Sequence, residues 1–409
     1  MSQYANFTNL TMRFLLLLCC ALLPFNFLTS QFSTFLVFFW LLNPNWKEKW
    51  NNMRNSPWLF GFFLFTGLYL CGVLWSDNRD EAINSIQVKL PVFLLSIVFA
   101  SMRLSEKETR RVFVAFIIGL IGVGVFMIVR GAIRYGDMGT SAFVYQTFTE
   151  YVMHPSYLAL YFVTGIVLLF HGVLLKNESS GNKLIAAFLG LFFAFIVFLL
   201  SSKMGFLSLA AVLIFYTAYA VIRFKRYVSG AVAILVLIGG AWMAIQTSPR
   251  LEETFQRMMT SLSGNKVVDL SSSESSEVRM LIWSADLALM MDAPIYGYGT
   301  GDVQDQLMSK YQEKGMSGAL EKKLNAHSQF FQTGLALGWF GLIVLLALTL
   351  GVVLWAIRKR LGVIVIVGGL LTINMIPESM LQLQAGTMYV GFLYSILLFS
   401  ADRKVFLPD

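Results

Sequence analysis

Apolar residues in this 409-residue chain gather in blocks of about 18, separated mostly by short polar connections. A helix of that length crosses the roughly 30 Å hydrocarbon core of a bilayer. Composition agrees: 57% of the residues are hydrophobic and only 13% are charged, where a soluble chain carries about a quarter. These features define an all-α polytopic membrane protein and exclude a large soluble helical one.

Twelve spans are predicted. The first two cover about 12–25 and 27–43, broken at Pro24. The next seven are Trp58–Trp75, about Val88–Met102, Val112–Arg130, Tyr157–Leu175, Leu184–Leu200, Gly205–Val221 and Val228–Ile245. Residues 246–326 form a long polar loop, and Phe330–Ala356, Leu361–Ile376 and about Thr387–Ser400 complete the set. The expected organisation is therefore spans 1–9 in residues 1–245, a loop with short helices in 246–326, and spans 10–12 in 327–409. The N-terminal apolar run, preceded by Arg13, lacks a small-residue cleavage site and reads as a retained helix.

Basic residues choose the orientation. Eighteen of the 31 Lys and Arg lie at the termini and in the even-numbered connections, and five in the short odd-numbered ones with their helix ends. The other eight are in the long loop. Such bias places both termini in the cytoplasm and the long loop outside. The +8 net charge is thereby a topology signal, and no nucleic-acid-binding surface is needed to explain it. Cys19, Cys20 and Cys71 all fall in apolar segments, which implies no disulfide framework.

Within the loop, about Ser276–Met291 reads as a helix capped by Ser275 or Ser276, with Arg279 and Trp283 four apart on one face. Pro294 and Gly297-Tyr298-Gly299-Thr300-Gly301 make a turn, and about Asp302–Glu313 a second helix. Asn325 is a candidate N-cap for the tenth span. The apolar faces of the loop helices suggest a cap on the membrane surface. The glycine turn has neither a preceding strand nor a following Lys, so it is not a phosphate loop. Ser271–Ser276 is a short low-complexity run.

With no soluble catalytic domain, chemistry falls to the loop and the helix ends around it. His327 stands where the loop re-enters an apolar helix. A neutral imidazole there, with an ordinary pKa of about 6.5, is able to take a proton from a hydroxyl. Lys203 sits in the very short turn Leu199–Gly205, either snorkelling or meeting an anion. Arg279 opens the loop helix, where a cation opposes the helix dipole, so its partner is an anionic ligand or Glu277 or Glu274. Glu378 is the only charge in the last outer turn, free to orient His327, pair with a cation, or stay solvated. His154, before Pro155, reads as a helix-entry hydrogen bonder, and His171 as an interface residue. No His, Cys or carboxylate cluster has metal spacing.

Four stretches in order carry a resemblance. They are SSKMGFLSL at 201–209, RMLIWSADLALMMDAPIYGYGTGD at 279–302, NAHSQFFQTGLALGWFG at 325–341 and ESMLQLQAGTMYVGF at 378–392. Together with twelve spans and one long outer loop, they resemble the bacterial O-antigen ligase and polymerase superfamily. The motifs match from about Lys203 onward, and the first half matches by architecture.

The resemblance implies a metal-independent, inverting glycosyltransferase without cofactor, in the inner membrane, working at the periplasmic face. Its donor would be a glycan on undecaprenyl pyrophosphate, and its acceptor lipid A–core in a ligase. A polymerase would use a second lipid-linked glycan as acceptor, and an O-linked oligosaccharyltransferase a protein hydroxyl. A lipid-linked glycan transporter fits less well, because charges inside the spans are few. By the same resemblance His327 would be the general base, and Arg279 and Lys203 would hold the pyrophosphate. Lys203 stands where the family has Arg, which keeps the charge and loses the bidentate fork. Glu378, Asn325 and Trp283 would support them.

Overall fold

The computed structural model describes residues 2–25, 28–174, 178–225 and 276–400, with Gly239, Glu252 and Leu270 as single positions. Among these residues every regular element is helical. Six helices are long and apolar enough to cross a membrane: Gln3–Phe25, Arg79–Met102, Glu106–Phe143, Pro155–Val173, Ser180–Leu199 and Gln329–Arg358. Five shorter apolar helices, Thr29–Leu42, Pro57–Gly72, Lys203–Tyr219, Gly362–Met375 and Gln384–Phe399, stand at other expected span positions. The expected span Val228–Ile245 and the loop up to Ser275, with its serine run and helix cap, lie outside the described residues apart from those single positions.

In chain order the elements are α1 (Ser2–Leu22), α2 (Thr29–Leu42), α3 (Trp46–Arg54), α4 (Pro57–Gly72), α5 (Arg79–Met102), α6 (Glu106–Met138), α7 (Tyr145–Thr149), α8 (Pro155–Leu169), α9 (Ser180–Leu199) and α10 (Lys203–Phe224). After the loop's first part come α11 (Ser276–Asp292), α12 (Val303–Glu313), α13 (Ser317–Glu321), α14 (Gln329–Leu346), α15 (Val352–Arg358), α16 (Gly362–Met375), α17 (Gln384–Met388) and α18 (Ser395–Phe399). π-helical turns follow α8, α14 and α17.

Local chemistry sets the helix starts. Pro57 and Pro155 occupy first positions, where the missing N–H costs nothing. α5 begins nine residues before the predicted Val88. The Asn78 side chain accepts from the Glu81 N–H at 3.2 Å, and Asp80 and Glu81 favour the positive end of the helix. α6 starts on a capping box between Ser105 and Glu108, with contacts of 3.0 and 3.4 Å.

Packing divides the chain into two compact units. One comprises residues 1–20, 29–112 and 268–407. Within it α4 packs on α5 and α14, and α11 packs on α14. Lys49 of α3 is buried between the Trp40 and Trp46 rings, and its ammonium donates to the backbone carbonyls of Trp40 and Asn43.

The other unit comprises 21–28, 113–267 and 408–409. Its α8 is buried over all of Pro155–Leu169 and packs on α9 and α10. Gly205 makes the approach to α10 possible, since a Cβ there would lie 2.6 Å from the Ala159 Cβ. His154 Nδ1 accepts from the Ser156 N–H at 3.4 Å, as a helix-entry hydrogen bonder should. His171 does not reach out of the protein: it is 5% exposed and hydrogen bonded to the Tyr216 hydroxyl.

The glycine turn is a strap. α14 is interrupted at Gly338, whose φ is +65°. The Tyr298 and Gly299 N–H groups donate to the freed carbonyls of Leu335 and Ala336 at 2.8 and 3.1 Å, and the Trp339 N–H donates to Ile295 O at 3.2 Å. A Cβ on Gly338 would lie 1.9 Å from Ile295 O, so a side chain would prevent this approach. The strap also reaches α4, where the Thr300 hydroxyl donates to Tyr69 O at 2.7 Å. α11 thus buries Val278, Ile282, Ala285 and Leu289 within the protein, while Met280, Leu287 and Met291 remain exposed.

Candidate functional site

The end of α14 that carries His327 is irregular for a stated reason. Asn325 is not the N-cap of this helix; Ser328 occupies that position, in extended conformation and without a side-chain cap bond. Asn325 instead turns the chain before it, its Oδ1 accepting from the His327 N–H at 3.0 Å. His327 consequently adopts φ +43°, a left-handed conformation uncommon for a side chain of this size. Its carbonyl accepts from Trp283 Nε1 at 3.1 Å. The half-buried imidazole is presented on a turn held from both sides.

One helical turn before Trp283, Arg279 donates to Glu378 Oε1 at 3.0 Å. Among the described residues Glu378 takes the guanidinium, while Glu274 and the Glu277 side chain lie outside them. Of the three roles open to Glu378, the structure shows pairing with a cation. Burial pushes its carboxyl above the ordinary range, and Arg279 partly reverses that shift.

Arg279, Trp283, Asn325, His327 and Glu378 therefore meet around the N-terminal end of α14. Lys203 belongs to the other compact unit. It opens α10 directly after Ser202, whose hydroxyl accepts from the Gly205 N–H at 3.2 Å. The short turn between α9 and α10 is as predicted.

Several polar residues at this end of the first unit escaped sequence reasoning. Gln329 is fully buried; its Oε1 accepts from the Leu381 N–H at 2.6 Å and its Nε2 donates to the Thr333 hydroxyl at 3.0 Å. Thr333 in turn meets the Tyr69 hydroxyl at 3.3 Å. The available signal was a Gln and a Thr four apart at the head of an apolar helix. Lys89, at the start of the apolar run from Val88, lies inside α5 and is 7% exposed. Its Nζ donates to Ser85 Oγ at 2.8 Å and lies 3.4 Å from Gln382 Oε1.

Asp286 was also missed. It lies on the α11 face of Arg279 and Trp283, fully buried, and neither carboxyl oxygen has a hydrogen-bond partner. Burial raises its pKa well above the ordinary value. Buried Tyr311 is shifted upward by burial and by Asp286, and its hydroxyl is 3.5 Å from Asn325 O. Among the described residues no three His, Cys, Asp or Glu side chains group as a metal would need.

The arrangement presents one imidazole and one guanidinium beside an apolar helix, which suits proton transfer next to an anion. No curated protein sequence matches the chain. The family model described as O-antigen ligase matches residues 187–346, the stretch that holds Lys203, Arg279, Trp283, Asn325 and His327. Over that stretch the chain is similar to the O-antigen ligase family, and its apolar helices suit a membrane protein.

Proposed function

We propose that the protein transfers a glycan from undecaprenyl pyrophosphate to a hydroxyl of lipid A–core, at the periplasmic face of the bacterial inner membrane. The observation that carries this reading is the convergence of the Trp283-held His327 turn with Arg279. His327 takes the proton of the acceptor hydroxyl, and the oxygen attacks the anomeric carbon from the face opposite the diphosphate. The bond from that carbon to the diphosphate oxygen breaks, its electron pair leaves with the diphosphate, and the configuration inverts. Arg279 and Lys203 stabilise the leaving charge, which counts for more beside a low-dielectric membrane than in water. A positioned base supplies roughly 10²–10⁴-fold. Fixing two membrane-anchored substrates side by side supplies further rate through proximity.

The basic-residue bias supports the orientation, with residues 246–326 on the periplasmic side. Reconstitution with a lipid-linked glycan tests the whole reading. Lipid A–core, a second lipid-linked glycan and a protein acceptor are offered separately, with and without a strong chelator. Transfer to lipid A–core that survives chelation is expected. Transfer only to the second lipid-linked glycan would make the enzyme a polymerase, and transfer only to protein an oligosaccharyltransferase. Movement of the glycan lipid across the bilayer without transfer would remove the enzyme reading.

A further inference from the structure

Lys89 is buried, and the groups that its ammonium touches are neutral. Its Nζ contacts Ser85 Oγ at 2.8 Å, Ser85 O at 3.3 Å and Gln382 Oε1 at 3.4 Å, and lies 4.8 Å from the centre of the Tyr69 ring. Among the described residues it forms no ion pair. At 7% exposure it does not snorkel into water. Holding an ammonium without a counter-charge in such a place is costly.

The segment from Glu378 to Gln384 explains what the cation faces. Glu378 holds Arg279, and four residues later Gln382 contacts Lys89. Between and beside them are two idle groups: Ser379 Oγ, on a residue 3% exposed, and Gln384 Nε2, both buried without a hydrogen-bond partner. Four residues span at most about 14 Å even when extended, and the 3₁₀ turn at Met380–Gln382 shortens that step. One short segment thus borders two cations and two unused donors.

We propose that Lys89, with the Ser379 hydroxyl and the Gln384 amide, binds the second phosphoryl group of a lipid-linked diphosphate whose first is held by Arg279. This inference rests on the proposed function and adds three binding residues to it. The division suits the groups: a guanidinium fork grips one phosphoryl group in two places, while an ammonium meets the other as a point charge. Glu378 and Gln382 hold the two cations in position and yield part of their contact when the diphosphate arrives.

The test measures binding of undecaprenyl pyrophosphate, undecaprenyl monophosphate and undecaprenol in nanodiscs. It compares wild type, Lys89→Met, Lys89→Arg, Ser379→Ala and Arg279→Ala, each with its thermal unfolding midpoint. Wild type should prefer diphosphate over monophosphate by about tenfold or more, the scale of one charge-assisted contact. Lys89→Met should unfold no earlier than wild type, since it removes an uncompensated charge, yet lose that preference about tenfold. Lys89→Arg should keep most of it, Ser379→Ala should lower it by about threefold, and Arg279→Ala should weaken both phosphorylated lipids. A folded Lys89→Met with an unchanged preference overturns the inference and leaves the proposed function standing. If Lys89→Met does not fold, an unchanged preference in Ser379→Ala overturns it. A wild type that binds diphosphate no better than undecaprenol removes the proposed function and this inference with it.

Discussion

Arg279 Nη2 lies 3.0 Å from Glu378 Oε1, between residues 99 positions apart. The guanidinium is 29% exposed and the carboxylate 12%, so this pair is neither a screened surface contact nor a sealed one. A ligand that meets Arg279 must share it with Glu378. The pair thereby sets the charge available to an anionic ligand.

Glu378→Gln should keep a hydrogen bond to Arg279 and release its charge. Diphosphate-lipid affinity should rise several-fold, while stability should not fall, because burial already disfavours the Glu378 charge. Binding titrations and thermal unfolding in detergent read both. Loss of affinity as large as in Arg279→Ala would mean that Glu378 aims the guanidinium and does not compete for it.

His327→Ala should reduce single-turnover transfer by about 10²–10⁴-fold and leave donor binding near wild type, because a general base acts chiefly in the transition state. Trp283→Phe removes the donor to the His327 carbonyl and should cost rate by about tenfold with the same donor affinity. A well-folded His327→Ala protein with near wild-type turnover would end the general-base role. Equal loss of donor binding in the His327 and Arg279 variants would turn the imidazole into a diphosphate ligand.

Lys203→Arg should be tolerated, since it keeps the charge and adds a bidentate fork. Lys203→Ala should weaken donor binding and slow transfer, by about tenfold or more. Donor affinity and rate measured for both variants separate these effects. Full activity in Lys203→Ala would leave the residue as a helix-end cation only.

Asp286→Ala should stabilise the protein at neutral pH by about 1 kcal/mol or more, the scale of one buried unsatisfied group. Burial raises the folded-state pKa of Asp286, so the folded state holds its proton more tightly than the unfolded chain does. The wild-type penalty is therefore absent below the ordinary Asp value of about 3.9 and grows as pH rises toward the raised one. Unfolding midpoints of both proteins across pH should converge in acid and separate toward neutrality. Parallel curves would place a compensating cation beside the carboxyl.

What the sequence alone determined is local. Apolar blocks of bilayer length, prolines at first helical positions and the loop helix at about 276–291 all follow from short-range rules, and among the described residues the corresponding helices are present. α5 starts earlier than its apolar run because the Asn78 cap sets the start, so Lys89 lies within the helix. His327, Arg279, Trp283 and Glu378 were legible as candidates, since a lone imidazole or charge beside a span is conspicuous.

Tertiary structure decided which of them meet. The Arg279 partner, the Trp283 contact to the His327 carbonyl and the glycine strap across α14 join segments far apart in the chain. The contact between Lys89 and Gln382 arises in the same way, from what α5 and the 378–384 segment place side by side. Periodicity and capping act within a turn or two of helix, so they specify where a helix lies along the chain. Pairing of charges and satisfaction of buried polar groups depend on which helices pack together, and that is settled only when the helices assemble.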